Sequence, residues 1–148
     1  MRIAVVADTH NRVPPALLDA IAPADEIWHL GDVCAPSVLE SFEKLRRPLR
    51  VVRGNCDSFL DWPLTFDFEL ESFRIHLEHI PPRTAPDATD LLFHGHTHVP
   101  RNEMVGGVRF LNPGCITRPN RGAPASFGWL RLSRGEPIDW QLVPLATL

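Results

Sequence analysis

The chain has 148 residues, with 15 Lys and Arg against 18 Asp and Glu, a formal net charge of −3 and a pI of about 6.1. This length predicts one domain over residues 1–148, and the scattered basic residues exclude a protein held on nucleic acid by phosphate charge. The three cysteines form no C-x-x-C pair, which predicts a reducing, cytoplasmic setting and excludes a disulfide scaffold and a Cys-type zinc site.

The first third of the chain predicts a β-α-β-α-β unit. A buried, β-branched strand at 2–7 is followed by a helix at 14–22, a strand at 26–30, a helix at 35–45 and a strand at 49–53. Crossovers of this kind are right-handed and make the strands parallel. We therefore expect the carboxyl ends of all three strands at one edge of a sheet.

The rest of the chain predicts mostly antiparallel β-structure. After Leu60, the stretches LTFDFEL and FRIHLEH alternate apolar and polar residues, as half-buried strands do. Four further strands are predicted at DLLFHG, GGVRFLN, FGWLRLS and IDWQLVPL. The two halves together predict an α/β (α+β) fold, with two mixed β-sheets packed as a sandwich and helices outside.

Each of the three early strands ends in residues that can bind a metal ion. The sequence gives Asp8-Thr9-His10 after the first, Gly31-Asp32 after the second and Gly54-Asn55-Cys56-Asp57 after the third. Any one of these motifs alone is common in turns and helix caps. Their occurrence at three successive strand ends predicts a site at the sheet edge, where open α/β sheets place their ligands.

The segment HGHTH at 94–98 adds three imidazoles after another predicted strand. In an extended segment, residues two apart point to the same side, so His96 and His98 can face one site. Two carboxylates, an amide and these imidazoles exceed the needs of one tetrahedral ion. They suit two ions about 3.5–4 Å apart that share a bridging carboxylate.

The ordered motifs D-x-H, GD, GNxD and GHTH resemble those of the calcineurin-like metallophosphoesterases. The GNCD form of the third motif is similar to that of a small phosphodiesterase branch, and LNPGCITRP resembles its NPGS segment. The resemblance covers residues 2–135. It implies a sandwich of two mixed sheets, in agreement with the pattern of strands.

The resemblance also implies roles for individual residues. The first ion would be held by Asp8, His10 and His98, the second by Asn55, His79 and His96, with Asp32 bridging both. His76, on the opposite strand face from Ile75 and Leu77, is the less favoured alternative to His79. A hydroxide bridging the two ions would attack phosphorus in line, and Asp57 would orient the ligands, so that Asp32, Asn55, Asp57 and His79 form the catalytic group.

The sequence departs from the family pattern at several positions. Cys56 stands where larger relatives carry a histidine that protonates the leaving group, and we expect it to be a small packing residue. Segment 80–93 is short, so we expect a reduced or missing helix and a more open site. Arg118 and Arg121 both stand near an expected arginine, and a phosphate contact or a solvated role is open for each. We expect His94 in the core or behind the ligands and His29 to be structural.

These observations predict a metal-dependent phosphodiesterase or phosphatase that acts on small phosphate esters. The alternative class is a catalytically silent binding scaffold of the same fold, which a eukaryotic retromer subunit resembles. Nitrogen and oxygen ligands suit manganese, iron, cobalt, nickel or zinc. No segment approaches membrane-spanning length, so we expect no membrane partner and no stable nucleic-acid partner; a homo-oligomer is left open.

Overall fold

Ten strands form two five-stranded mixed sheets, which confirms the predicted fold class. The computed structural model describes residues 1–148. The strands are β1 (Arg2–Val6), β2 (Glu26–His29), β3 (Leu49–Val51), β4 (Thr65–Leu70), β5 (Phe73–Glu78), β6 (Leu91–Phe93), β7 (Arg101–Val105), β8 (Val108–Asn112), β9 (Ser126–Arg131) and β10 (Asp139–Pro144). The helices are α1 (Pro15–Ile21) and α2 (Leu39–Glu43), with 3-10 turns at Pro36–Val38 and Leu145–Thr147.

The first sheet has the strand order β10-β9-β1-β2-β3. Strands β1, β2 and β3 are parallel, as the crossover rule requires, while β9 and β10 join as an antiparallel hairpin. The second sheet has the order β4-β5-β6-β8-β7, in which β5, β6 and β8 are parallel. The prediction of mostly antiparallel strands is wrong for these three, because crossovers and not hairpins join them; only β4–β5 and β7–β8 pair antiparallel in this sheet. Each sheet thus contains three neighbouring parallel strands, at one side of the first sheet and in the centre of the second, whose carboxyl ends point in one direction.

The two sheets pack through a shared apolar cluster. Ile3 and Val5 of β1 lie fully buried against Leu77 of β5 and Phe93 of β6. The rings of Trp28 and Phe93, one from each sheet, meet edge to face with centroids 5.2 Å apart. Alternate residues of β1 therefore join the sheets, since successive side chains of a strand point to opposite faces.

The helices cover only the outer face of the first sheet. Leu17 and Ile21 of α1 and Phe42 of α2 pack there against Ala4 and Val6 of β1. The outer face of the second sheet carries no helix, and residues 79–90 between β5 and β6 form none, as expected from their short length. No helix of the chain is long and apolar enough to pass through a bilayer.

The second helix is shorter than the predicted span 35–45. Its first turn is a 3-10 turn at Pro36–Val38, and α2 itself has five residues. Arg46 then takes a left-handed φ of 54°, which stops the helical path. Pro48 follows two residues later and restricts the backbone before it to extended conformations, so the chain turns directly into β3.

The packing between the sheets predicts a clear contrast between two leucines. Leu77→Ala removes a fully buried side chain and should lower the free energy of unfolding by about 2–5 kcal/mol, because it leaves a cavity between the sheets. Leu60→Ala removes a side chain that is 77% exposed and should change it by less than about 0.5 kcal/mol. Urea denaturation followed by tryptophan fluorescence measures both; equal losses would contradict this account of the core.

Candidate metal centre

The turns after β1 and β2 continue the pairing of these strands beyond their ends. The backbone N–H of Asp8 donates to the Gly31 carbonyl at 3.0 Å, and that of His10 donates to the Asp32 carbonyl at 3.0 Å. Both chains turn sharply there, since Asp8 and Asp32 have φ values of 57° and 56°. The two carboxylates are thereby brought to the same edge of the sheet.

Left-handed backbone recurs among the predicted ligands. Asp8, His10, Asp32, His96 and His98 all have φ between 44° and 70°. Such conformations cost a non-glycine residue about 1–3 kcal/mol each and persist only where surrounding contacts enforce them. Their concentration at one place marks this edge as a built site rather than a set of ordinary turns.

One group of donor atoms comes from Asp8, His10, Asp32 and His98, all within 4.8 Å of one another. His98 Nε2 lies 3.4 Å from Asp8 Oδ1, and His10 Nε2 lies 3.7 Å from Asp32 Oδ2. The two Nε2 atoms of His10 and His98 are 3.4 Å apart. These residues are the ones that the resemblance implies for the first ion together with the bridging residue.

A second group adjoins the first. Asn55 Oδ1 lies 2.9 Å from His79 Nε2 and 3.0 Å from His96 Nδ1. His79 Nε2 is also 3.4 Å from Asp32 Oδ2. Asp32 therefore stands between the two groups, within 4 Å of a histidine from each, in the position expected of a bridging carboxylate.

His76 lies apart from both groups. Its ring nitrogens face Asp67 Oδ1 at 2.7 Å and Glu78 Oε2 at 2.9 Å on the other face of β5. His79, just beyond the strand end, reaches the site instead. The structure thus places His79 and not His76 among the converging side chains.

Backbone carbonyls orient two of the imidazoles. His79 Nδ1–H donates to the Leu30 carbonyl at 2.7 Å, and His98 Nδ1–H donates to the Arg118 carbonyl at 2.6 Å. With Nδ1 carrying the proton, Nε2 presents its lone pair to the site. This carbonyl–imidazole arrangement is the usual support of a metal-binding histidine.

The buried Asp8 carboxylate has no hydrogen-bond partner within the protein, although three histidines lie within 4.0 Å of its Oδ1. Neither of its oxygens accepts a hydrogen bond, and burial raises the pKa of Asp8 to about 6. Burial also opposes ionisation of Asp32, but hydrogen bonds from His79 and from the Cys56 N–H prevail and hold the pKa of Asp32 below its ordinary range. A divalent cation would satisfy the Asp8 oxygens, so the donor set fits a metal ion.

The histidines differ in their preference for a proton. Burial lowers the pKa values of His10 and His96, which favours neutral imidazoles with free lone pairs. Burial acts in the same direction on His79, but its hydrogen bond with Asp32 and the charge of Asp8 outweigh it and raise the pKa of His79. A cation bound between these carboxylates would compete with the His79 proton.

Asp57 holds the loops together and does not itself reach the donor groups. Its Oδ2 accepts hydrogen bonds from the N–H groups of Asp32 at 2.9 Å and Gly54 at 2.7 Å. Its Oδ1 accepts one from the Cys34 N–H at 2.7 Å. The orienting role expected of Asp57 is consistent with this geometry, since it fixes the turns that carry Asp32 and Asn55.

Two glycines permit the close approach of these loops. At Gly31, with a φ of 99°, an added Cβ would lie 2.7 Å from His79 Nδ1. At Gly54 an added Cβ would lie 2.1 Å from Asp32 Oδ1. Glycine is therefore required sterically at both strand ends.

The HGHTH segment is not extended, so the prediction of an extended segment with His96 and His98 on the same side is wrong. His96 and His98 both have left-handed φ values, of 70° and 60°, and the segment folds into successive bends after β6. His98 consequently joins Asp8 and His10, while His96 joins Asn55. Both histidine side chains reach the site, but turns of the backbone direct them there and not the alternation of side chains along an extended segment.

Two residues in the C-terminal third of the chain support the turns of the site, and the sequence did not reveal their contacts: Asn112 supports the HGHTH turn and Cys115 the turn at Asp8. Asn112 Nδ2 donates to the Gly95 carbonyl and to Thr97 Oγ1, each at 3.1 Å, and so ties β8 to the HGHTH turn. Cys115 is fully buried, and its Sγ donates to the Asp8 carbonyl at 3.3 Å. Both belong to LNPGCITRP, whose similarity to the family was the available signal.

Of the remaining histidines, His94 and His29 lie outside the donor groups, as expected. His94 Nδ1–H donates to the Gly95 carbonyl at 2.9 Å and Nε2 accepts from Arg101 at 3.2 Å, while burial lowers the pKa of His94 to about 4. His29 is fully buried beside Thr9, and burial lowers its pKa to about 3. Both are neutral structural residues.

Three residues around the centre differ in exposure and position. Cys56 is exposed, so the expectation that it is a small packing residue is wrong. The site is therefore open on the side where Cys56 lies. The charge of Arg118 reaches His10 and contributes to lowering the pKa of His10, after burial and the charges of other residues. Arg121 lines a recess beside His96. The two arginines therefore lie near different predicted ligands, Arg118 near His10 and Arg121 near His96.

Comparison with known proteins identifies the family. Residues 1–135 match the family model of the calcineurin-like phosphoesterase superfamily domain. A probable metallophosphoesterase of Methanothermobacter thermautotrophicus is 34% identical over 97% of this chain and 92% of its own. The phosphodiesterase YfcE of Escherichia coli K12 is 32% identical over 88% of this chain and 87% of its own.

Solved structures agree with this relationship. The structure of YfcE, a phosphoesterase from E. coli, superposes with a TM-score of 0.76 at 28% identity, covering 98% of this chain and 100% of that one. Vps29 of Entamoeba histolytica, in complex with zinc, has a TM-score of 0.78 at 23% identity, over 98% of this chain and 99% of its own. The second likeness shows the fold alone.

Removal of the Asp57 carboxylate should weaken metal binding. In Asp57→Asn, an amide NH₂ replaces one of the oxygens that accept the three backbone N–H bonds, so the turn carrying Asp32 loses support. We expect about 10–100-fold weaker Mn²⁺ binding, the usual effect of losing such a partner. Calorimetric titration measures it, with the exposed Asp61→Asn as the matched control; equal affinities in both variants would contradict this role.

Metal binding should depend on pH through Asp8. Because its pKa is raised to about 6, Asp8 holds a proton below that pH, and an incoming ion must displace it. The apparent affinity for Mn²⁺ should therefore fall by at least about tenfold for each pH unit below 6, and because the pKa of His79 is raised above its ordinary value, the affinity should go on rising above pH 6 until His79 also loses its proton. Titrations between pH 5 and 7.5 in buffers of different ionisation enthalpy report the released protons; an affinity constant across this range would refute the assignment.

Proposed function

The chain belongs to the calcineurin-like phosphoesterase superfamily, and we propose that it is a metal-dependent hydrolase of phosphodiesters with two divalent ions in its active site. The observation that carries the proposal is the pair of adjoining donor groups that share Asp32. Similarity to the phosphodiesterase YfcE supports the reaction class. The unpartnered Asp8 carboxylate supports the requirement for a cation.

The proposed ligands follow from the two groups. Asp8, His10 and His98 would hold one ion, Asn55, His79 and His96 the other, and Asp32 both. When bound, such ions polarise phosphoryl oxygens and make water a stronger nucleophile at neutral pH. All donor atoms are nitrogen or oxygen, which suits manganese, iron, cobalt, nickel or zinc.

The protein's own residues supply position and charge balance. Asp57 holds the Asp32 and Asn55 turns through three backbone N–H groups, so these side chains are oriented before substrate arrives. The carbonyls of Leu30 and Arg118 fix the rings of His79 and His98. The exposed Asn55 and His96 leave the centre accessible to a substrate phosphate.

Neither Cys56 nor His94 is suited to protonate a leaving group. Burial, and then the negative charge of Asp32, raise the pKa of the Cys56 thiol, so it keeps its proton near neutral pH. His94 uses both ring nitrogens within the protein. This supports substrates whose leaving group departs without a strong acid, such as aryl or phosphoryl groups, over alkyl monoesters.

We further propose that residues 1–148 act as one domain, because a single apolar cluster joins residues of both sheets. The three cysteines are free, which supports a reducing, cytoplasmic compartment. A small phosphate ester is the proposed substrate. Vps29 shares the fold, so a binding scaffold is the outcome to be excluded by experiment.

Hydrolysis of bis-p-nitrophenyl phosphate by metal-stripped protein should appear on addition of Mn²⁺ or another of the candidate ions. Asp32→Ala removes the shared ligand and should lower kcat/KM by at least about a hundredfold, since metal polarisation is worth several kcal/mol. Asp19→Ala, on the exposed side of α1, is the matched control and should leave turnover unchanged.

Metal content measured on the same samples separates the outcomes. Protein that binds two ions without turning over this diester would have a narrower natural substrate. Protein that binds no ion and hydrolyses nothing would be a scaffold, and the proposed function would be wrong.

A further inference from the structure

A recess with a volume of about 550 Å³ opens directly beside His96. The turn from Thr97 to Pro100 forms one wall, Arg101 at the start of β7 another, and Asn120 with Arg121 a third. This volume lies in the range of small-molecule sites. Because His96 lines it, the recess is continuous with the donor groups of the candidate centre.

Arg101 is held rigidly at the edge of this recess. Its Nε donates to Glu103 Oε2 at 2.9 Å and its Nη1 donates to His94 Nε2 at 3.2 Å. Its guanidinium also stacks on the ring of Phe110, with 4.6 Å between Cζ and the ring centroid. These contacts fix the plane of the group and leave further N–H donors unused.

The charges around the recess favour an anion. Glu103 is paired with Arg101, and His94 is neutral, so neither contributes uncompensated charge. Arg121 forms no ion pair and lies exposed at the opposite wall. The recess therefore combines one free positive charge with the remaining donors of Arg101.

The backbone that carries Arg121 is anchored to the candidate centre. The Asn120 N–H donates to the His98 carbonyl at 3.1 Å, and the Arg121 N–H donates to Asn120 Oδ1 at 2.9 Å. His98 Nδ1–H in turn donates to the Arg118 carbonyl. Arg121 thus stands at a fixed place relative to the ligands, although its side chain is free.

We propose that this recess binds a second anionic group of the substrate, so that the preferred substrates are phosphodiesters with a further phosphate or carboxylate near the scissile one. The inference rests on the proposed function and specifies its substrate class. Arg101 and Arg121 are the specificity-determining residues, and Val99 and Pro100 provide an apolar wall for the part of the substrate between the two anions.

The test compares two chromogenic substrates that differ only in the second anion: thymidine 5′-(p-nitrophenyl phosphate) with and without a 3′-phosphate. Both release p-nitrophenol from the same diester in Mn²⁺-loaded enzyme. The 3′-phosphate should raise kcat/KM by about 10–100-fold, the usual worth of charge-assisted hydrogen bonds. In Arg121→Gln and Arg101→Gln this ratio should fall to within about threefold of unity, with Arg121→Lys in between.

Arg134→Gln provides the matched control, because Arg134 lies in the exposed β9–β10 turn beyond the opposite end of the first sheet. It should keep the full ratio between the substrates. A wild-type ratio near unity, or a ratio unchanged in Arg121→Gln and Arg101→Gln, would overturn the assignment of the recess while leaving the phosphodiesterase intact.

A binding measurement separates this outcome from failure of the proposed function. If neither diester is hydrolysed, the proposed function fails, and calorimetric titration with thymidine 3′,5′-bisphosphate and thymidine 5′-monophosphate still tests the recess. About tenfold tighter binding of the bisphosphate, lost in Arg121→Gln, would support the anion site. Equal affinities of the two nucleotides would refute it.

Discussion

Asp8 places a carboxylate at the end of a fully buried strand, where neither of its oxygens accepts a hydrogen bond. Leaving such a group unpaired is costly, and the protein responds by raising its pKa to about 6. A cation relieves the cost that the fold has imposed. The neighbouring features follow from this constraint, because the left-handed turns, the oriented imidazoles and the close glycines all direct donors toward the same point.

The site depends on the assembly of both sheets. The first sheet supplies Asp8 and Asp32, whereas His79 and the HGHTH turn come from the second. The His79 ring donates to the Leu30 carbonyl across the sandwich, and the Gly95 N–H donates to the His79 carbonyl. Packing between the sheets and the geometry of the donor groups are therefore two consequences of the same interface, and loosening one disturbs the other.

The parts of the site that sequence could predict are those determined locally. A strand pattern that is followed by Asp or His predicts metal-binding side chains and places them at the edge of the sheet where the strand ends. The glycines in GD and GNCD indicate turns in which a side chain has no room. Features that depend on contacts between residues far apart in the sequence could not be predicted from such local patterns. The bends of HGHTH exist because Asn112 ties them to β8, and Cys115 lies beneath Asp8 because the C-terminal segment returns there. The alternation of side chains within one segment predicts neither of these contacts.

Arg101 illustrates a further limit and joins recognition to the structural polar network. In the sequence Arg101 lies in a stretch where no strand is predicted, and nothing distinguishes it from the other arginines. In the fold its partners are the buried His94 and the ring of the buried Phe110, so these two residues also position a donor in the recess beside His96. If the proposed substrates react at this centre, contacts with the part of the substrate away from the scissile bond can discriminate between them, since discrimination depends on differential binding. Rigid donors around an open centre suit such contacts, because little conformational freedom is lost when they engage an anion.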